Sequence, residues 1–514
     1  MVCTVCGSTP AAPCGGCGNV SYCGKECQKK VWKTHKPICK NYKIGTSVEE
    51  HGRHIIASRD IRAGEKIMDS NPDVLGPRLT QPVPCCLGCH RGDKQLLKCP
   101  KCALPVCGVK CTSSSVHQME CAVIYKYKKK DADIFGLETV LPFRILALQY
   151  TQPEVFLKIL SMESNKQEIV KGKNWKSLQE TVVDPILALG IPDVDRDTLE
   201  NILGIILTNT FEVVLPSALL IGIFYESSFM NHHCIGNTRI ILDKGGKMTV
   251  TASVPIKKNK PIKFNYVKGL DSTWLRQQEL LENKYFSCAC ERCLDPTELG
   301  SYVSGHRCLK EECEGSVIPT DPLNKQSDWK CDKCQEIVPV QNIRKTLKCL
   351  SRDTESLDKN NMKDLKRLIN KYESKLHRQN GLLADLKQML ISGYGRLPGF
   401  QVEDMNEADH KLKLRLVHEV LGALDIVDPG LSLGRGLLLF ELHTTLVILS
   451  NLEFEKKQNP NQLLIRLLEA EKYLAEADTI MKLEPPTSPY GHLSSTISRN
   501  RIELGEYIQT VKMM

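Results

Sequence analysis

Cysteines and histidines in close pairs are the residues of this chain whose spacing most clearly predicts chemistry. The chain has 514 residues and 24 cysteines, and its first 39 residues contain four such pairs. Their members are Cys3, Cys6, Cys14, Cys17, Cys23, Cys27, His35 and Cys39. Zinc binds four such ligands tetrahedrally, so eight ligands predict two zinc ions. So short a segment cannot bury a sufficient core by itself, and we expect the metal to hold it together.

The same four-pair pattern returns later in the chain. Its members are Cys86, Cys89, Cys99, Cys102, Cys107, Cys111, His117 and Cys121. An internal repeat of this kind strengthens both assignments and predicts two further zinc ions. Cys85 could replace Cys86 as a ligand, although the two-residue spacing to Cys89 favours Cys86.

Two more sets of cysteines extend the pattern. Cys288, Cys290 and Cys293 supply three ligands without an obvious fourth nearby, and Cys234 is the candidate fourth. A last set has the spacing of a four-cysteine zinc ribbon and consists of Cys308, Cys313, Cys331 and Cys334. The assignments together use 22 of the 24 cysteines. They predict about six zinc ions in the folded protein.

Zinc binding changes the charge balance of the chain. The formal net charge is +9. The 22 thiolates bring 22 negative charges and six Zn²⁺ bring 12 positive ones, which leaves about −1. A broad nucleic-acid-binding surface therefore loses its main support. No C2H2 zinc-finger spacing with a long recognition helix appears. The short basic run Lys126–Lys130 is typical of a solvated face, and its alternatives are a nuclear-import signal or a phosphate contact.

The chain start and the hydrophobic runs predict a compartment. "MVCTVCGSTP" lacks the charged and apolar regions of a secretory signal, and no run of about 18 apolar residues predicts a membrane span. Paired cysteines without a signal peptide indicate a reducing environment. We therefore expect the protein in the cytoplasm, the nucleus or both. We also expect it to be a monomer.

Hydrophobic patterns predict the elements that position these residues. "RHIIASRDIRAGEKIM" (residues 53–68) is typical of a β-hairpin around a polar connection. Residues 135–225 are mostly helical by pattern. "NTRIILDKGGKMTVTASV" predicts a second hairpin that turns at Gly245 and Gly246, and "PIKFNY" predicts a short strand.

The last third of the chain has a helical pattern. Apolar residues recur at intervals of three and four, as in Leu467, Ala470, Leu474, Ala477 and Met481. Such stripes are typical of core faces. They predict an antiparallel helical array of tetratricopeptide type, although no strict repeat of about 34 residues is present.

These motifs together resemble a known family. The paired Cys/His segments resemble MYND zinc fingers, and "GRHIIASRDIRAGEKI", "NHHCIGN", "FNY" and "KYFSCACERC" resemble a SET methyltransferase domain. The chain is similar to the SMYD family of SET and MYND lysine methyltransferases, in an insect-type branch. In this family a MYND finger interrupts the SET domain after its first hairpin, which residues 86–121 do here. The finger at 3–39 is an additional one.

The resemblance implies an α+β, zinc-rich multidomain protein. Its units are a first MYND finger (1–40), the N-terminal part of the SET domain (41–80), a second, inserted MYND finger (85–121), the SET core (122–270), a post-SET zinc region (271–296), a zinc ribbon (300–340) and a C-terminal helical domain (341–514).

The resemblance also implies a cofactor and its site. SET domains of the family bind S-adenosylmethionine and methylate lysine amines. Asn231, His232 and Asn209 would hold the methionine part, Tyr266 would face the transferring methyl group, and Phe286 would pack on the adenine. Gly52, Arg53 and His54 would form the cofactor loop. The zinc held by Cys234, Cys288, Cys290 and Cys293 would close the lysine channel.

Three departures from the family pattern leave two hypotheses open. His54 stands where the family has a second glycine, Asn259-Lys260-Pro261 replaces Gly-Glu-Glu, and Gly236 replaces a proline. The first hypothesis is a protein-lysine methyltransferase acting on histone or non-histone proteins, with a possible role in transcription. The second is a non-catalytic adaptor that binds proline-rich peptides through its MYND fingers and other proteins through its helical domain.

Overall fold

The computed structural model describes residues 1–36, 39–47, 52–128, 135–215, 217–457, 459–488 and 490–514. Its strands are β1 (Ala12–Pro13), β2 (Ser21–Tyr22), β3 (Tyr42–Ser47), β4 (Gly52–Ala57), β5 (Lys66–Ser70), β6 (Val74–Pro77), β7 (Leu97–Lys98), β8 (Pro105–Val106), β9 (Phe211–Leu215), β10 (Ala218–Ile223), β11 (Thr238–Leu242), β12 (Met248–Ala252), β13 (His306–Arg307), β14 (Ser316–Pro319), β15 (Trp329–Cys331) and β16 (Ile337–Val338).

Most of the helices fall into two groups, one between residues 115 and 209 and one between residues 340 and 512. They are α1 (Lys25–His35), α2 (Val109–Thr112), α3 (Ser115–Tyr127), α4 (Val140–Thr151), α5 (Pro153–Leu160), α6 (Lys166–Ile169), α7 (Trp175–Leu178), α8 (Asp184–Leu187), α9 (Arg196–Asn209), α10 (Thr273–Lys284), α11 (Glu291–Leu294), α12 (Val340–Glu355), α13 (Met362–Glu373), α14 (Gly381–Gly393), α15 (Glu407–Val427), α16 (Leu433–Lys457), α17 (Pro460–Met481) and α18 (Gly491–Lys512).

Three small antiparallel sheets form the β-rich centre of the molecule. They have the strand orders β3-β4, β6-β10-β9 and β11-β12-β5. Inward-facing residues such as Ile55, Leu220 and Val250 are fully buried between them. Helices α4 to α9 pack beside the sheets around a second core. The predicted helical character of residues 135–225 is confirmed as far as Asn209, after which the chain enters β9 and β10.

The predicted hairpin in residues 53–68 is wrong, although both of its strands exist. β4 pairs with β3 on its N-terminal side, and β5 pairs with β12. The connection between them bonds elsewhere, since the N–H of Ile61 donates to the carbonyl of Ile256. Local pattern identified the strands, but distant residues supplied their partners.

The second predicted hairpin is confirmed. β11 pairs with β12 in antiparallel register, and Gly246 has a φ of +79°, a conformation that favours glycine. "PIKFNY" forms no continuous strand, because it makes only isolated bridges, from Pro261 to Ile56 and from Phe264 to His232.

The C-terminal part is helical from α12 to α18, and helices adjacent in sequence from α13 onward pack on one another. The predicted apolar stripe of α17 is buried completely in their core. Helix α16 is long and apolar enough to cross a membrane by length and composition. It lies against α15 and α17 and buries Leu439 and Leu442 there, as a core helix does.

Candidate active site and metal centres

The metal ligands of each of the two fingers, residues 3–39 and 86–121, interleave along the chain. In the first finger the first and third pairs form one cluster and the second and fourth pairs form the other, with all ligand atoms of a cluster within 4.8 Å of one another. The two clusters are Cys3, Cys6, Cys23 and Cys27, and Cys14, Cys17, His35 and Cys39. The second finger divides its eight ligands in the same way, into Cys86, Cys89, Cys107 and Cys111, and Cys99, Cys102, His117 and Cys121. These are two pairs of tetrahedral zinc-binding clusters.

The structure decides between the two adjacent cysteines at the start of the second finger. Cys86 joins a metal cluster, as the spacing favours. Cys85 is buried in the β-rich core, and burial raises the pKa of its thiol to about 11. A neutral thiol in an apolar core is a packing residue and not a ligand.

A buried carboxylate orients the histidine of the second finger. His117 Nδ1 lies 2.8 Å from Glu120 Oε1, which leaves Nε2 for the metal. Arg144 of α4 donates to Glu120 Oε2 at 2.8 Å and to the carbonyl of Leu87 at 2.9 Å. All three charged or titratable side chains are fully buried. This chain of contacts fixes the ligand's orientation and ties the finger to α4.

Replacing Glu120 with alanine is expected to lower the zinc affinity of this cluster by about 10–100-fold, because the ligand loses the partner that orients it. Zinc release to a chromogenic chelator would measure the change. Glu26→Ala in the first finger is the control, since Glu26 is exposed on α1 and contacts only Lys29 among the ion pairs of the described residues. Equal release rates for the two variants would contradict the assigned role.

The third type of cluster joins distant parts of the chain. Cys234 meets Cys288, Cys290 and Cys293, all within 4.8 Å, and three of these four cysteines are buried. The candidate fourth ligand from the sequence is therefore found at this cluster. The ribbon cysteines also converge, with Cys308 Sγ 3.6 Å from Cys334 Sγ and Cys313 Sγ 3.7 Å from Cys331 Sγ. β13 to β16 form the four-stranded antiparallel sheet that carries them.

A buried network of charges surrounds the Cys234 cluster. Arg276 of α10 donates to Cys234 Sγ at 3.3 Å and to Cys293 Sγ at 3.5 Å. Arg276 and Arg292 both pair with Glu298, at 2.6 and 2.8 Å. All three are at most 1% exposed. The two guanidinium groups balance the thiolate charge, and the carboxylate prevents the guanidinium groups from repelling each other.

The segment that supplies Cys234 crosses the segment that ends in Tyr266. The N–H of Phe264 donates to the carbonyl of Asn231, and the N–H of His233 donates to the carbonyl of Phe264, both at 3.1 Å. Gly236 allows this approach, because a Cβ there would lie 2.9 Å from the backbone nitrogen of Asn265. The crossing holds Asn231, His232 and Tyr266 in one small region.

Gly236→Ala is expected to destabilise the protein by about 1–3 kcal/mol, because backbone atoms must move to admit the methyl group. Gly505→Ala in α18 is the matched control. A Cβ at Gly505 meets no atom within 4 Å, so alanine should be neutral or stabilise the helix by about 0.5–1 kcal/mol. Midpoints of thermal unfolding compare the two variants, and a similar shift in both would rule out the crowding account.

His232 and Tyr266 are joined by backbone and ring contacts. His232 Nδ1 accepts the N–H of Tyr266 at 3.1 Å, so Nε2 carries the hydrogen and donates to Cys234 Sγ at 3.3 Å. Burial lowers the pKa of His232 to about 3, so the ring is neutral. Its side chain therefore connects the metal cluster to Tyr266, and its backbone remains the part that can face a cofactor.

Tyr266 presents a neutral hydroxyl group. Burial raises the pKa of its phenol, and Oη donates to the carbonyl of Met230 at 2.7 Å. The hydroxyl hydrogen is thus used inside the protein, and the oxygen lone pairs remain able to accept a hydrogen bond. The Phe286 ring lies 5.8 Å from the His232 ring, so the third predicted aromatic residue also belongs to this region.

The remaining predicted site residues make contacts of their own on β4 and α9. The Arg53 guanidinium lies 4.6 Å from the Phe229 ring centroid and donates to the carbonyl of Ser161 at 2.5 Å. Asn209 ends α9, and its amide donates to the carbonyl of Glu163 at 2.7 Å. Gly52 has a φ of +107°, which a glycine adopts readily at the start of β4.

The departures at His54 and Pro261 are accommodated by their neighbours. His54 is buried opposite Gly45 on β3, where its ring occupies the space that a side chain at 45 would fill. Because side chains alternate along a strand, His54 points away from the face of Arg53. Pro261 lacks an N–H, but the bonds beside it use the carbonyl of Lys260 and the N–H of Ile262. His233, next to the cofactor residues, pairs with Glu291 at 3.0 Å.

Several residues of these sites carry no sequence signal. Glu120, Arg144, Arg276, Arg292 and Glu298 resemble charged residues of solvated helices and loops. Their burial depends on which elements pack together, so spacing within the chain could not reveal it. Lys129 and Lys130 of the short basic run Lys126–Lys130 lie outside the described residues.

Comparisons with known proteins find two matching domain models and several relatives. A MYND finger model matches residues 3–39, and a SET domain model matches residues 52–267. The SET domain-containing protein SmydA-8, isoform A, of Drosophila melanogaster is 31% identical over 59% of this chain and 67% of that protein. Histone-lysine N-methyltransferase ASHR1 of Arabidopsis thaliana is 26% identical over 58% of this chain and 65% of its own length. Histone-lysine N-methyltransferase SMYD3 of Homo sapiens is 22% identical over 57% of this chain and 72% of its own length.

The span matched by the SET model, residues 52–267, includes the eight ligands of the second finger. A MYND finger, a SET domain and zinc-binding clusters occur in this chain, and one relative shares 31% identity with it. The chain therefore belongs to the SMYD family, the SET and MYND domain proteins of the protein-lysine methyltransferase class.

Proposed function

We propose that the protein transfers a methyl group from S-adenosylmethionine to a lysine amine of another protein, histone or non-histone. The observation that carries this proposal is the crossing at Asn231–His232, which holds Tyr266, Phe286 and the Cys234 cluster together. Asn209 and Arg53 lie beside it on separate elements. The histone or non-histone nature of the acceptor protein and a role in transcription regulation are both part of this proposal.

The chemistry of these residues fits S-adenosylmethionine. The described polar partners of the Arg53 guanidinium are the neutral Ser161 hydroxyl and carbonyl, so a carboxylate of the methionine part could pair with it. Phe286 offers an apolar face to the adenine. When bound, the cofactor supplies an electrophilic methyl group. The Tyr266 oxygen, whose hydrogen is donated to Met230, would use its lone pairs to stabilise positive charge and orient the acceptor.

Calorimetric titration of S-adenosylmethionine into zinc-replete, full-length protein is the first test. A Kd in the micromolar range, about −8 kcal/mol, is the expected result. Transfer of labelled methyl groups to an array of histone and non-histone proteins then tests the reaction. No heat of binding from folded protein that holds about six zinc ions would contradict the proposal.

Partner binding through the fingers is a second proposed function. Trp32 is 40% exposed beside the zinc ligand His35, and its ring lies 5.9 Å from that histidine. An exposed aromatic ring on a rigid module is a typical contact for proline-rich peptides. We propose that the first finger binds such a peptide, either to recruit a substrate or as an adaptor without catalysis. Titration with polyproline peptides, with Trp32→Ala as control, tests this.

The finer domain assignments are part of the same proposal. The Cys234 cluster would be the post-SET zinc site that closes the lysine channel, since it contacts His232 directly. Residues 341–514 would form a tetratricopeptide-like array that presents a protein-binding surface. We propose a monomer that works in the cytoplasm, the nucleus or both, without a nucleic acid or membrane as its main partner.

A further inference from the structure

A lysine of the chain itself lies against the tyrosine of the proposed site. Lys284 is the last residue of α10, and its Nζ is 5.7 Å from the centroid of the Tyr266 ring. Tyr285 follows with φ +61° and ψ 29°, which ends the helix in a left-handed turn. This turn brings Phe286 back to His232. Lys284 and Phe286 therefore reach the same region from one short segment.

The surroundings of this amine are unusual for a lysine. Its Nζ donates to the carbonyl of Thr208 at 2.7 Å, near the end of α9. In the part of the chain that the structure describes, no carboxylate pairs with Lys284, and burial lowers the pKa of its amine. A lysine without an acidic partner in a desolvated place is more often neutral than an exposed one, and a neutral amine is a nucleophile.

We propose that Lys284 is a methylation site within the active centre, where its amine takes the place of an incoming lysine opposite Tyr266. The proposal rests on the proposed methyltransferase function. The bond to Thr208 uses one N–H of the amine, which leaves the nitrogen lone pair unshared. Because donor and acceptor sites belong to one molecule, the reaction would not depend on capture of a partner.

The reaction balances with S-adenosylmethionine as the co-substrate. The Lys284 amine, having lost its ammonium proton to solvent, would form a bond from nitrogen to the methyl carbon. The bond between that carbon and sulfur would break, and its electron pair would stay on sulfur. The products are S-adenosylhomocysteine and an N-methylammonium group on Lys284.

Peptide mapping by mass spectrometry tests the proposal on the full-length, zinc-loaded protein. The protein is mapped as purified and again after incubation with S-adenosylmethionine that carries a trideuterated methyl group. We expect a methyl group on Lys284 in the wild type and in Lys247→Arg, and none at position 284 in Lys284→Arg. Lys247, on the turn between β11 and β12, is the control because its amine pairs with the carboxylate of Asp69 on β5. The wild-type result stands even if Lys284→Arg folds poorly.

A second measurement needs no cofactor. Labelling with acetic anhydride over a range of pH reports the pKa of each amine, and Lys284 is expected to reach half-labelling at a lower pH than Lys247. Labelled methyl groups on added proteins with none on Lys284 would overturn this inference and leave the proposed function intact. Failure of the protein to bind S-adenosylmethionine would overturn both.

Discussion

Replacing Glu298 with alanine is expected to destabilise the protein by about 3–5 kcal/mol, because it leaves two buried guanidinium groups without their shared carboxylate. Arg276 and Arg292 lie at 2.6 and 2.8 Å from Glu298 and are fully buried. The N–H of Thr273, at the start of α10, also donates to this carboxylate, at 3.2 Å. The loss would therefore extend from the charges to the anchoring of α10.

The thermal unfolding midpoint and the zinc content measure this effect together. Arg276 contacts two cysteine sulfurs of the Cys234 cluster, so the variant should also lose zinc more readily than the wild type. Glu291→Gln is the matched control. Its carboxylate is 63% exposed and pairs only with His233 among the described ion pairs, so its loss should cost at most about 1 kcal/mol. Comparable shifts in the two variants would show that the buried network adds nothing.

Tyr266→Phe is expected to slow methyl transfer by about 10²–10³-fold, the typical effect of removing one group that stabilises developing charge. The ring and its contact with His232 remain, so only the hydroxyl group and its bond to Met230 are lost. Stability should fall by only about 1 kcal/mol, the usual contribution of one hydrogen bond. Binding of S-adenosylmethionine should stay nearly unchanged.

Two measurements separate these effects: the initial rate of methyl transfer to a protein that the wild type methylates, and calorimetric titration of the cofactor. Tyr225→Phe serves as the control, because Tyr225 packs on Phe229 nearby with a ring separation of 4.9 Å but lies outside the proposed catalytic group. Full activity in Tyr266→Phe would falsify the assigned role. A fall in cofactor affinity equal to the fall in rate would instead assign Tyr266 to binding.

Local spacing was sufficient for the zinc ligands and insufficient for their grouping. Pairs such as Cys14 and Cys17 are recognisable because both ligands come from one tight turn. Which pair joins which depends on how the finger folds, and the structure joins Cys14 and Cys17 to His35 and Cys39. The same limit applies to β4 and β5, whose alternating pattern identified strands but not their partners.

The departures from the family motif show another limit of sequence reading. His54 stands where the family has a glycine, and the consequence of its side chain depends on the face of β4 that it occupies. The structure pairs His54 with Gly45 across two strands and leaves Arg53 on the opposite face. The substitution is thus balanced by a small residue nine positions earlier, which the motif alone does not include.

The sequence by itself determined the zinc-rich character of this protein, its family, the apolar core of its last helices and most of the cysteines and histidines that converge in clusters able to hold a metal. These features depend on residue types and on spacing within a few turns of chain. Only the tertiary structure decided the grouping of the ligands, the buried network around Glu298 and the place of Lys284 beside Tyr266. Those contacts join residues that are far apart in the chain, and packing brings them together.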